Sequence, residues 1–183
     1  MPATRRKAER APRTLVVNLF GGPGTGKSTS AAAAFARLKL DGVNAELATE
    51  YAKDIVWEGR HYLLSDQIYI FAKQNRKLER LYGKVDVVVS DCPLLLSYYY
   101  SRNPHILGLV REMLVKADQL DVLLERKKPY LAKGRYQTES EARRIDRELA
   151  RMLEELSIPY HRLPADRDAG DRIAELVEGR RRK

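Results

Sequence analysis

Apolar residues fall along the chain in two rhythms. Short unbroken runs, TLVVNLF at 14–20, VDVVVSD at 85–91 and LDVLLER at 120–126, predict strands buried on both faces. VNAELAT, ending just before Glu50, and IPYHRL at 158–163 bring the set to about five. Helical patterns lie between them. STSAAAAFARLKLDG is alanine-rich and stops at Gly42. SDQIYIFAKQNRKLERLYG sets Ile68, Phe71, Leu78 and Leu81 along one face, and NPHILGLVREMLVKADQ predicts a further helix. In EARRIDRELARMLEELS, Ile145, Leu149, Met152, Leu153 and Leu156 share a face, with Arg143, Arg144, Arg147 and Arg151 largely off it. DRIAELVEG closes the series. Strands alternating with helices predict one α/β domain, a three-layer αβα sandwich around a parallel sheet.

Charge alters this picture only at the ends. The chain has 183 residues and a formal net charge of +9, of which residues 1–14 hold +4 and 179–183 another +4. Residues 15–178 are therefore nearly neutral, and the expected organisation is a basic flexible tail at 1–14, a domain at 15–178 and a basic tail at 179–183. Such tails either solubilise the protein, the favoured reading, or neutralise the phosphates of DNA or RNA. No apolar run approaches the ~20 residues of a membrane span. The first residues have no apolar signal core, and the single cysteine, Cys92, fits a reducing cytoplasm.

LFGGPGTGKST at 19–29 carries the first chemistry. Gly21, Gly26, Lys27 and Ser28 fit G-x-x-x-x-G-K-[ST], with a strand before the loop and a helix after it. This predicts a P-loop NTPase. Gly21, Gly22, Pro23, Gly24, Thr25, Gly26, Lys27, Ser28 and Thr29 are the candidate ATP-binding residues, the backbone curling round the phosphates at the start of a helix. Lys27 is placed at the β- and γ-phosphates, and Ser28 at Mg2+. Asp91, ending its apolar strand, is the second candidate Mg2+ ligand, the alternative being a strand-end aspartate that caps the next helix.

Glu50, just beyond the second strand, lies where ligands gather in an open parallel sheet, and suits accepting a proton from an attacking hydroxyl. Asp54 is an alternative base. A polar stretch at 126–137 packs Arg126, Lys127, Lys128, Lys133 and Arg135 before an arginine-rich helix, and predicts a cationic lid over about 126–144. Arg135 and Arg144 are its leading arginines, an ordinary solvated basic loop being the bland alternative. Tyr51 and Tyr130 are the aromatic candidates for stacking on an acceptor base, whereas His61, His105 and His161 read as structural and Cys92 as a packed residue.

No N/T-K-x-D guanine-reading motif occurs, and Cys92 occupies the place of a motor's second acid. A small phosphotransferase with a lid is the remaining plan. LFGGPGTGKST, ATEYAKD, VDVVVSDCPLLL, KPYLAKGRYQTE and IPYHRL together resemble the small phage-encoded P-loop kinases, similar in layout to ribosylnicotinamide kinase domains and more distantly to thymidylate-kinase-like enzymes. The resemblance spans Thr14 to Val177. It implies ATP, Mg2+, a hydroxyl acceptor and a closing lid, with Lys27 and Ser28 at donor and metal, Glu50 at the acceptor hydroxyl and Arg135 in the lid. Lys133 stands where ribosylnicotinamide kinases often carry an acid, which departs from a nicotinamide substrate. The expected acceptor is a nucleoside, a nucleotide or a modified base in phage DNA of the 5-hydroxymethyluracil type. The competing class is an ATP hydrolase or nucleic-acid-associated assembly factor, with water as acceptor.

Overall fold

Thirteen elements follow the initial Arg13 and Thr14 in the computed structural model, which describes residues 13–127, 129–130 and 138–182. They are β1 (Leu15–Phe20), α1 (Lys27–Leu40), β2 (Ala45–Ala48), α2 (Tyr51–Trp57), a 3-10 turn (His61–Ser65), α3 (Gln67–Glu79), β3 (Val87–Ser90), α4 (Leu95–Ser101), α5 (Pro104–Leu114), β4 (Asp118–Glu125), α6 (Glu139–Glu155), β5 (Tyr160–Pro164) and α7 (Ala169–Arg181). The five strands are parallel in the order β2-β3-β1-β4-β5. This is the α/β P-loop NTPase fold.

The sheet is covered on both faces because β1 alternates its buried side chains between two cores. Val16 and Phe20 join Phe71, Leu78, Leu95, Ile145, Leu149 and Leu153 from α3, α4 and α6. Val17 and Leu19 join Ala31, Ala34, Leu38, Ile173 and Val177 from α1 and α7. Local chemistry fixes where several helices begin. Asp66 accepts the Tyr69 N–H at the start of α3, and Asn103 with Pro104 opens α5. Thr138 and Glu141 form a capping box on α6.

One local expectation is corrected. Ile68 is 62% exposed, and the buried face of α3 is Ile70, Phe71, Gln74 and Leu78, because a polar glutamine holds the core position in place of an aliphatic side chain. CPLLLSYYY turns at Pro93 and forms α4, whose Leu95, Leu96, Ser97 and Tyr99 are buried; packing outweighs the weak helix preference of consecutive tyrosines. The basic end is helical through Arg181, which pairs with Asp86 at 3.0 Å while Arg182 pairs with Glu178 at 2.8 Å. Thr14 is buried, its hydroxyl donating to Val85 O and accepting the Gly83 N–H, and Arg13 faces Asp118 at 3.5 Å. Among the described residues no helix is long and apolar enough to cross a membrane.

Candidate functional site

The loop between β1 and α1 needs backbone that side chains disfavour. Gly26, at the N-cap of α1, has φ +119, a region open to glycine. Gly22 is held for a different reason: a Cβ there would meet Ala142 O at 2.6 Å and Asp146 Oδ1 at 2.7 Å, so α6 lies directly against the loop. α1 has no acidic residue in its first turn, and its leading N–H groups and dipole are available to an anion. Lys27 Nζ donates to Gly21 O at 2.7 Å and Gly22 O at 3.3 Å, so the lysine folds back over its own loop.

A cavity of about 660 Å³ opens beside this loop. Pro23, Gly24, Gly26, Lys27, Ser28 and Thr29 line one side, and Glu50, with Lys53 and Trp57 of α2, faces them. Of the nine loop residues expected to hold ATP, Gly21, Gly22 and Thr25 do not line the cavity. Gly22 and Thr25 are instead tied to α6 and the end of β4. Asp146 Oδ1 accepts the Gly22 N–H at 2.6 Å and lies 3.0 Å from Thr25 Oγ1. Arg126 donates from Nε to Asp146 Oδ2 at 3.0 Å, and from Nη2 to Pro23 O at 2.9 Å and Thr25 Oγ1 at 3.1 Å. The Arg126 side chain is only 5% exposed, so this is a buried ion pair gripping the loop from behind. A second crevice of about 460 Å³, between α6 and the β4–β5 edge, contains neither Lys27 nor Glu50. The chemistry belongs to the larger one.

Asp91 is 2% exposed, and its Oδ1 has no hydrogen-bond partner among the described residues. A buried carboxylate oxygen without a partner is costly, and a cation beside it removes that cost. Among the described residues no cluster of three or more His, Cys, Asp or Glu could form an all-protein metal cage. The unpartnered Asp91 oxygen and the Ser28 hydroxyl are oxygen donors of the kind Mg2+ takes beside waters and substrate oxygens; Ser28 lines the cavity, whereas Asp91 does not. Glu50 is half-buried. Burial raises its carboxyl above the ordinary value, with Asp91 and Asp54 adding to the rise and Lys27 and Lys53 opposing it. A carboxylate so placed is a stronger proton acceptor than one in water.

Several expected residues fall elsewhere. Asp54 pairs with Lys77 at 3.4 Å and does not line the cavity, leaving Glu50 as the carboxylate that faces the loop. Arg144 stands on the exposed side of α6, 58% exposed and paired with Glu148 at 2.8 Å. The inward face of the helix carries Ala142, Ile145 and Leu149, and Asp146 reaches the loop two residues beyond Arg144, on the other side of the helix. Arg135, Lys128 and Lys133 lie outside the described residues, as does the central part of the expected lid, 131–137. Tyr51 bonds Tyr69 through its hydroxyl at 2.8 Å and does not line the cavity. The aromatic residues that do are Trp57 and Tyr100, and His61, read from sequence as structural, lines it too. Cys92 lines it as well, and burial raises its thiol well above the ordinary value, which disfavours the thiolate. Spacing signals Lys53, one helical turn after Glu50; Tyr100 and His61 reach the cavity only through the fold.

Residues 16–172 match the AAA_28 family model, described as an AAA domain. The chain belongs to that family. No curated protein sequence matches it. Among solved structures, this AAA_28 protein is similar to the APS kinase CysC of Mycobacterium tuberculosis in its Cys556Ala mutant form, at 17% identity and TM-score 0.51, over 91% of this chain and 96% of that one. The same kinase in complex with AMPPNP and APS aligns at 16% identity and TM-score 0.52, over 91% and 97% of the two chains. NadR protein in complex with NR aligns at 18% identity and TM-score 0.66 over 90% of this chain. The AAA_28 protein spans about half of NadR, 52% of its length. At these identities the likeness is one of fold.

Proposed function

We propose that this AAA_28 protein is an ATP-dependent phosphotransferase that moves the γ-phosphate to a hydroxyl of a nucleoside-type acceptor held in the 660 Å³ cavity. One observation carries the reading: Glu50 and the phosphate-binding loop face each other across a single cavity, and burial strengthens the carboxylate as a base. The volume lies within the ~300–1,000 Å³ usual for small-molecule sites. Neighbours of the same fold solved with AMPPNP and APS, and with NR, support a small-molecule acceptor.

The residues divide the work. The α1 N-terminus and loop amides hold the donor phosphates, and Lys27 swings from Gly21 O and Gly22 O onto the β- and γ-oxygens. Ser28 and Asp91 would hold Mg2+, which offsets phosphate charge when bound. Glu50 accepts the proton of the acceptor hydroxyl as that oxygen attacks the γ-phosphorus and the bond to the β-phosphate oxygen breaks, releasing ADP. Trp57 and Tyr100 offer flat faces to an acceptor ring, and Lys53 supplies a cation at the rim. A cationic lid carrying Arg135, in the stretch of sequence between Arg126 and α6, completes the expected arrangement, and basic ends suit a DNA acceptor such as one containing 5-hydroxymethyluracil.

The test is transfer from γ-labelled ATP to a panel of nucleosides, nucleotides and DNA with and without 5-hydroxymethyluracil. Label on one acceptor class supports the reading and names the acceptor. Label found only as free phosphate across the panel refutes it in favour of an ATP hydrolase. Activity on DNA that falls steeply with salt would tie the basic ends to the substrate.

A further inference from the structure

Glu50 occupies the N-cap position of α2, with φ −62° and ψ 121°, yet its side chain makes no capping bond. Helix starts favour Ser, Thr, Asp or Asn there, whose short side chains satisfy the first-turn N–H groups. Here part of that task has passed to another helix. Gln74 Oε1, on α3, accepts the Tyr51 N–H at 3.0 Å. Lys77, one turn along α3, donates to Thr49 O at 3.0 Å. The residues before and after Glu50 are therefore both gripped by α3. Lys77 also reaches Asp54 Oδ2 at 3.4 Å, and Tyr69 holds the Tyr51 hydroxyl at 2.8 Å.

Gln74 is 1% exposed and does not line the cavity. Because a backbone N–H can be accepted only by oxygen, the orientation of its amide is set, and Nε2 is left buried without a partner among the described residues. A buried orphan donor is a cost that an aliphatic side chain at this core position would avoid. The oxygen is what the position needs.

We propose that Gln74 and Lys77 are positioning residues that clamp the backbone on both sides of Glu50, so that its carboxylate is left to the cavity instead of capping α2. The proposal rests on the reading of Glu50 as the acceptor-side base, and deepens it. Without the Gln74 oxygen, the Tyr51 N–H loses its partner, the β2–α2 turn loosens, and Glu50 becomes free to turn onto the first N–H groups of its own helix.

The experiment uses the full chain and the substitutions Gln74→Met, Gln74→Glu and Gln74→Met combined with Glu50→Gln, assayed well below each melting temperature. Gln74→Met is expected to lower kcat about tenfold with KM for ATP within about twofold, since small misplacements of a reacting group weigh on the chemical step. Gln74→Glu, which keeps an acceptor oxygen, recovers most of that loss. In the Glu50→Gln background, Gln74→Met costs less than about twofold, because coupled residues are not additive. An equal loss in both backgrounds overturns the proposal. Amide hydrogen exchange without substrate gives a readout independent of transfer: protection of Thr49–Asp54 falls in Gln74→Met while β1 and β3 are unchanged. Unaltered exchange across that segment overturns the clamp. A wild-type protein that phosphorylates no acceptor refutes the kinase reading, and the exchange result then decides the clamp alone.

Discussion

Replacing Asp146 by alanine removes the group that ties the phosphate-binding loop to α6. Arg126 then keeps a guanidinium only 5% exposed, with Pro23 O and Thr25 Oγ1 as remaining partners and, among the described residues, none for Nη1. Breaking a buried ion pair from one side costs about 3–5 kcal/mol. Asp146 is 23% exposed, so water reaches the vacated space and the lower end applies, about 3 kcal/mol. The Gly22 N–H, which donates at 2.6 Å, adds about 1 kcal/mol when its acceptor is lost. For a domain of this size a loss of about 3–4 kcal/mol lowers the melting temperature by roughly 6–16 °C. Thermal unfolding without nucleotide measures this. Arg126→Met with Asp146→Leu exchanges the pair for apolar packing and should restore most of the loss. A drop under about 3 °C for Asp146→Ala, or a double variant no better than the single one, refutes the buried-pair account.

Four further outcomes follow from the geometry. Lys27→Ala should abolish phosphoryl transfer in the labelled-ATP assay, and measurable transfer would remove the lysine from the mechanism. Glu50→Gln should lower kcat by about 10²–10⁴ while ATP affinity, read by calorimetry, stays within a few-fold; full activity would exclude it as the base. Burial pushes the Asp121 carboxyl up to about 6, against the pull of the Asn18 hydrogen bond at 2.9 Å. Its folded value lies above the unfolded one, so its contribution is intact below about pH 4 and is lost as pH rises through 6, by up to about 3 kcal/mol. Asp121→Asn should therefore raise the melting temperature at pH 8 and leave it nearly unchanged at pH 4. Gly170→Ala puts a Cβ 2.5 Å from Ala33 Cβ and 2.9 Å from Ala33 C, so it should destabilise by about 1–3 kcal/mol in denaturant titration despite the better helix propensity of alanine.

What could be read from sequence was what short-range pattern controls. The run into the loop glycines, the apolar strand ending at Asp91 and the face of α6 through Ile145, Leu149, Met152 and Leu153 all correspond to buried elements. Their periodicity is set by burial alone, and burial leaves its mark on composition. Arginines are harder. Arg126 and Arg144 are chemically identical, and only the phase of α6 and the return of the chain after β4 put the first against the loop and the second beside Glu148. Gln74 was hidden because an amide on a helical face looks like a solvent position, when it is an acceptor for a turn 23 residues earlier. Tyr100 and His61 come from separate elements that meet Glu50 only because the sheet order brings them over the same strands.

The sheet order has a practical consequence. β2 and β3 are neighbours, yet 38 residues separate their ends, and one continuous stretch of that connection, from Glu50 to Ile70, supplies much of the cavity wall facing the phosphate-binding loop. The loop, its Asp146–Arg126 brace and the α1–α7 contact come from other parts of the chain. The insert can therefore be treated as an exchangeable cartridge. Grafting residues 50–79 from a family member with another acceptor, with the α3 side chains that hold the turn, should retarget the protein without rebuilding its donor half.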